Sequence, residues 1–337
     1  LAGMLFAGLG LWGALLSYGV SLAAALAIAL FFLYRLCGGA RVPLATAAAR
    51  GREVLGYSAP LLLVGGIHYV ITWLDTLLLG LYRGPADVGV YRAAAQLPLM
   101  LPVLLAASNS IYGPTVSVLL HRDERAAAGV LLRTTSRWLA WLSIPAFAAM
   151  FVCAPDIVAL FGDEYVAAGA PVLRVLAVAQ LFSVLTGGVG QTLTLTGYQK
   201  LELYNSFGMV AVNVALCLAL IPRWGAKGAA VASAVSIVGL NAARMVEVWK
   251  VFRMSPFDRG SLVLAAAGAI ALGAGWAAHA SIENPVARSL AAALAVAVCF
   301  GAAVAWWGIG EEDRRVYRQV RERARRREAP PVVEAES

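Results

Sequence analysis

The stretch Gly65–Tyr82, GGIHYVITWLDTLLLGLY, decides how the rest of the chain is read. It is almost wholly apolar and close to the roughly 20 helical residues needed to cross the hydrocarbon core of a bilayer. Yet it carries Asp75, with His68 two turns earlier. A charge at membrane depth is costly and marks either a paired group or a working one. The whole chain supports a spanning segment here. Of its 337 residues, 61% are hydrophobic and 14% charged, and the mean hydropathy is +0.76, whereas soluble domains carry about 25% charged residues.

The apolar runs are mostly longer than 20 residues. That implies helices and not barrel strands, which alternate over roughly 10 residues. The expected fold is therefore all-α, a polytopic integral membrane protein. After a stub at Leu1–Ala7, nine complete spans follow: Leu11–Leu36, Tyr57–Tyr82, Val88–Leu120, Trp138–Phe161, Ala170–Gly197, Leu203–Pro222, Lys227–Trp249, Gly260–Ala280 and Ala287–Ile309. Leu1 opens directly inside an apolar run with no charged segment before it, so the start is not a signal peptide. It reads as a chain shortened within a spanning helix.

Lys and Arg set the orientation. Twenty of the 27 fall on alternate connections and in the tail: Arg35 to Arg52, Arg122 to Arg137, Lys200, Lys250 to Arg259 and Arg314 to Arg327. Only Arg83, Arg223, Lys227 and Arg288 fall on the opposite connections. The basic side is expected to be cytoplasmic, with the C-terminus inside. The net charge of +8 then reflects membrane orientation and a basic tail, read as a solvated orientation signal with a short helix held near anionic headgroups as the alternative, and calls for no nucleic acid. Cys37, Cys153, Cys217 and Cys299 are scattered singly without a CxxC pair, and read as packing residues. The three histidines lack ligand spacing, so no metal is expected, and no nucleotide motif or other cofactor signal occurs.

GLWGALLSYGVS (Gly10–Ser21) and GAKGAAVASAVS (Gly225–Ser236) share a G-x-x-G-A start and a V-S end at a constant offset of 215 residues. Glycine at such points lets helices approach closely where lipid offers no hydrophobic drive. If Gly225 opens the sixth helix of one half, Gly10 opens the corresponding helix of an earlier half. Two parallel six-helix halves form a transporter architecture.

DTLLLG (Asp75–Gly80), VGVYRAA (Val88–Ala94), APDIVALFGDEYVAAGAPVLRVLA (Ala154–Ala177) and VNVALCLALIPRWGAKGAA (Val212–Ala230) occur in this order. Together they resemble the polysaccharide-transport branch of the multidrug/oligosaccharidyl-lipid/polysaccharide flippase superfamily, the Wzx-type O-antigen and exopolysaccharide flippases. The resemblance covers about Tyr57–Trp249. It implies a two-lobed protein with the N-terminal lobe mostly missing. Residues 1–36 would end that lobe, 37–56 form a cytoplasmic connection and 57–249 the C-terminal six-helix lobe. Residues 250–310 would add two further helices, and 311–337 a basic cytoplasmic tail. The implied location is the bacterial inner membrane. The implied substrate is an undecaprenyl-diphosphate-linked oligosaccharide, with a proton or sodium gradient as driving force and glycan-assembly proteins of the same pathway as partners.

Arg92, four residues into the helix after Arg83, is placed to pair with Asp75. The carboxylate is then either a fixed tie between helices or an ion-coupling group that exchanges its partner. Arg92 and Gln96 are one turn apart. Arg174 begins a helix on which Gln180, Gly187, Gln191 and Thr194 fall in one stripe. Arg suits a diphosphate, and amides suit sugar hydroxyls. Arg92, Gln96, Arg174, Gln180, Gln191, Asn205 and Asn213 are therefore the substrate-cavity candidates, with interhelical hydrogen bonding as the alternative for each. Arg244 and Glu247, three apart, read as a local ion pair. The expected function is transport, not enzymatic catalysis. A multidrug or cation antiporter of the same superfamily is the alternative. A membrane glycan polymerase or ligase is disfavoured by the short outer connections.

Overall fold

The computed structural model describes residues 10–36 and 73–307 of the chain. Two compact units divide at Tyr69 and Val70. In the first, α1 (Gly10–Leu36) is one unbroken helix, apolar over Leu16–Phe32.

The described part of the second unit begins with α2 (73–83) and α3 (Pro85–Ala95). Next come a 3₁₀ turn at Pro98–Met100, α4 (Leu101–His121), α5 (Arg125–Val152), α6 (Ala154–Ala159) and α7 (Asp163–Leu185). The series ends with α8 (Val189–Leu195), α9 (Gln199–Trp224), α10 (Ala226–Phe252), α11 (Arg259–Ala280) and α12 (Pro285–Trp307). No strand occurs among the described residues. Among the described residues, six helices are long and apolar enough to cross a membrane: the Pro98–His121 segment, α7, α9, α10, α11 and α12.

Local chemistry explains the breaks. Gly84 separates α2 from α3 with φ +87°, and Pro85 then opens α3, where its missing N–H costs nothing. The expected single span Val88–Leu120 is instead two helices, because Pro98 starts a tighter turn between them. The expected Ala170–Gly197 span is also divided. Thr186–Gly188 is non-helical, and Gly187 takes φ +62°, which a side chain rarely adopts. Trp138–Phe161 likewise breaks at Cys153, ahead of Pro155.

α7 is the hub. Its Val172, Leu173 and Ala177 pack into one core cluster with Leu79 of α2, Ala94 of α3, Val158 of α6, Ile221 of α9 and Ala229 of α10. The α9–α10 hairpin turns on Gly225, at φ +55°. At Gly228 a Cβ would sit 2.5 Å from the backbone oxygen of Leu220. Only glycine permits that approach, as the G-x-x-G pattern predicts.

The α11–α12 hairpin is fastened to α5 and α6 at both ends. At the basic end, Arg137 of α5 donates to Asp258 Oδ2 at 2.9 Å. Asp258 also caps α11 by accepting from the Ser261 N–H at 2.9 Å. At the other end, Asp156 of α6 accepts from Arg288 Nε at 3.0 Å and from Ser289 Oγ at 2.7 Å, and lies 2.8 Å from His279 Nε2. Between them, Ile144 and Ala148 of α5 pack on Ala267 and Ala271 of α11 and on Val296 of α12.

Burial pushes the Asp156 carboxyl up, but hydrogen bonds from Arg288, Ser289 and His279 outweigh it and hold the group at about 2. Asp156→Asn is expected to lower stability by about 1–3 kcal/mol, the usual cost of leaving buried donors short of an acceptor. Because the folded value lies below the ordinary ~3.9, the contribution is complete above that value and lost as pH falls through the folded one. The difference in melting temperature between wild type and Asp156→Asn, measured in detergent, should persist from pH 7 to about 4 and close below that.

Candidate functional site

Asp75 sits half-buried on α2, where three helices meet. Its Oδ2 accepts from Tyr91 Oη of α3 and from Ser233 Oγ of α10, the latter at 3.0 Å. Its Oδ1 accepts from the Thr76 N–H at 2.7 Å and from Thr76 Oγ1 at 3.2 Å. Every one of these donors is neutral, and no basic side chain pairs with Asp75 among the described residues. The carboxylate is thus held in the bundle by neutral donors alone.

The pairing with Arg92 expected from sequence does not form. Consecutive helical residues point about 100° apart, and it is the buried Tyr91 that faces the core. Arg92 is turned sideways, its guanidinium 3.8 Å above the Trp73 ring. Gln96, exposed, closes α3 one turn further on. His68 lies outside the described residues.

A second polar group joins α9 to α10. Arg244 Nε donates to Glu202 Oε2 at 2.9 Å, and Asn205 Nδ2 donates to Glu247 Oε2 at 2.7 Å. The local Arg244–Glu247 pair is thus replaced by two cross-helix ties, because the facing helix supplies a better-placed partner for each. Gly190 of α8 makes room: a Cβ there would lie 3.3 Å from Arg244 Nε. Asn213 Oδ1, further along α9, accepts from Cys217 Sγ at 3.8 Å.

Arg174 of α7 faces α5 and α11. Its Nε donates to the Phe151 carbonyl at 3.0 Å, one of the last carbonyls of α5, which lack a partner within their own helix. The guanidinium lies 5.4 Å from the Phe151 ring centroid and 5.2 Å from that of Trp276. Neither Arg92 nor Arg174 has an acidic partner among the described residues. Gln180 is buried on α7 and Gln191 half-buried on α8. The expected continuous stripe from Gln180 to Thr194 does not exist as one helix face, because the chain breaks at Thr186–Gly188. The candidates thus divide among separate places: Asp75 on one junction, Asn205 on another, Arg174 against α5 and α11.

Tyr91 and Ser233, the two donors that hold Asp75 from other helices, were not singled out from sequence. Ser233 lies within the repeated GAKGAAVASAVS, the one signal that pointed near it. Among the described residues no cluster of His, Cys, Asp and Glu has the makings of a metal site.

Long apolar helices bound together by internal charges and amides define a multi-pass, all-helical membrane protein. Residues 2–170 match the family described as polysaccharide biosynthesis protein, which is half of the chain. The chain belongs to that family. It is similar to the "Probable flippase AglR" of Haloferax volcanii, 27% identical over 168 residues, 49% of this chain and 35% of that protein. It is also similar to the "Probable low-salt glycan biosynthesis flippase Agl15" of the same organism, 27% identical over 174 residues, 51% of this chain and 36% of that protein. The matched stretch therefore spans about a third of either relative's length.

Arg174→Ala strips a carbonyl of its donor and removes a cation from two aromatic rings. It is expected to destabilise the protein by about 2 kcal/mol, and Arg174→Lys, which lacks the planar stack, by less. Thermal unfolding in detergent measures both.

Proposed function

We propose that this chain belongs to a flippase that carries a lipid-linked oligosaccharide across the membrane by alternating access. The observation that carries this reading is membership of the polysaccharide biosynthesis family, with two similar proteins named as probable flippases. Within it, residues 57–249 are one lobe, 1–36 the end of the other, and 250–310 a pair of helices added to the first. The basic connections and tail face the cytoplasm of a bacterial cell, and the glycan is destined for O-antigen, capsule or exopolysaccharide. The chain works as a transporter and not as an enzyme.

Two features fit a diphosphate-linked substrate and an ion gradient. Arg92 and Arg174 keep positive charge that no acid neutralises, and Arg presents a planar fork of donors to phosphate oxygens. Gln96, Gln180, Gln191, Asn205 and Asn213 supply amides for sugar hydroxyls. Asp75, held by neutral donors alone, is the ion-coupling group. It releases or takes up a proton or sodium ion as α2, α3 and α10 shift against one another.

Complementation of a flippase-deficient bacterium, read as surface glycan, tests this. Asp75→Asn keeps the acceptor oxygen and removes the charge. It is expected to insert at wild-type level and to lower glycan export about tenfold or more, as is Arg92→Ala. Full export by Asp75→Asn would make the carboxylate a structural tie. Drug resistance without glycan export would move the protein to the multidrug branch.

A further inference from the structure

A cavity of about 660 Å³ opens on the flank of the second unit, between α5, α7 and α11. It shares no lining residue with the Asp75 junction or with the α9–α10 ties. We propose that it binds an anionic phospholipid from the leaflet at the basic end, one acyl chain lying in the groove and the phosphate at Arg259. This inference does not depend on the transport reading.

Three observations converge on that occupant. The first is length. The apolar part of the α11 wall runs from Leu262 to Leu272, ten residue steps or about 15 Å at 1.5 Å each. That is about half of the ~30 Å hydrocarbon core, so the groove is one leaflet deep. The second is polarity. The polar and charged lining residues, Ser136, Asp258, Arg259 and Ser261, all lie at the end where α11 begins. The remaining wall is apolar, including Ile144 and Phe147 of α5 and Leu181 and Leu185 of α7. A single gradient from charged to oily matches a lipid entering head outward.

The third is charge. Asp258 is consumed by Arg137 and by the cap of α11. Arg259 is exposed, with no acidic partner among the described residues, so the mouth is left with a net positive charge. The groove's floor is fixed by shape, since a Cβ on Gly268 would meet Ile144 Cγ2 at 2.6 Å.

The test is lipid retention by the purified full chain, delipidated in detergent and read by native mass spectrometry with phosphatidylglycerol, phosphatidylcholine and undecaprenyl phosphate as probes. Wild type should retain one phosphatidylglycerol in preference to phosphatidylcholine. Arg259→Gln should weaken it about fivefold, the worth of one basic residue near the surface. Ala269→Trp, which fills the groove, should abolish retention. Ala266→Trp, on the exposed side of α11 outside the groove, should leave it unchanged. Three results overturn the proposal: equal retention by Ala269→Trp, phosphatidylcholine bound as tightly as phosphatidylglycerol, or displacement of phosphatidylglycerol by undecaprenyl phosphate. Should Ala269→Trp fail to fold, Arg259→Gln decides alone, and unchanged affinity there overturns the headgroup assignment.

Discussion

A carboxylate among apolar helices has to find donors on other helices, and the second unit is organised around that requirement. Asp75 reaches 158 residues along the chain to Ser233. Asp156 reaches 132 to Arg288, and Asp258 reaches back 121 to Arg137. Apolar side chains do not distinguish a neighbouring helix from lipid, so they provide little selection among pairings. The polar ties do. Each joins elements far apart in sequence, and together they determine which helix lies beside which. Close approaches such as Gly228 against the Leu220 carbonyl then set how tightly the pairs are drawn.

The charged groups fall into two kinds. At Asp156, Asp258 and Glu202 the carboxylate meets a guanidinium, and the pair is close to neutral. Such pairs are expensive to break and act as fixed struts. Asp75, Arg92 and Arg174 are different, because a hydroxyl, a ring or a carbonyl holds each in place with no opposite charge beside it among the described residues.

Much of this was legible in the sequence. Composition and run length predict the all-helical membrane class, and Asp75 stands out as a charge in an apolar run. What the sequence hid was direction. Arg92 is at the right depth for Asp75, but depth says nothing about azimuth, and the neighbouring Tyr91 takes the position instead. The breaks at Pro98 and Thr186–Gly188 were hidden by the apolar character on both sides, which continues unchanged through them. The Asp156 strut was invisible for another reason. His279 lies in α11 and Arg288 and Ser289 in α12, and nothing in a linear string says which helix ends come together.

That strut also bears on how the protein is made. Arg288 leaves the ribosome 132 residues after Asp156, which at roughly 5–20 residues per second is on the order of ten seconds of synthesis. Asp156 sits on the six-residue helix α6, between long segments and not inside one, and the α11–α12 hairpin closes on it as a clasp once those 132 residues have been made.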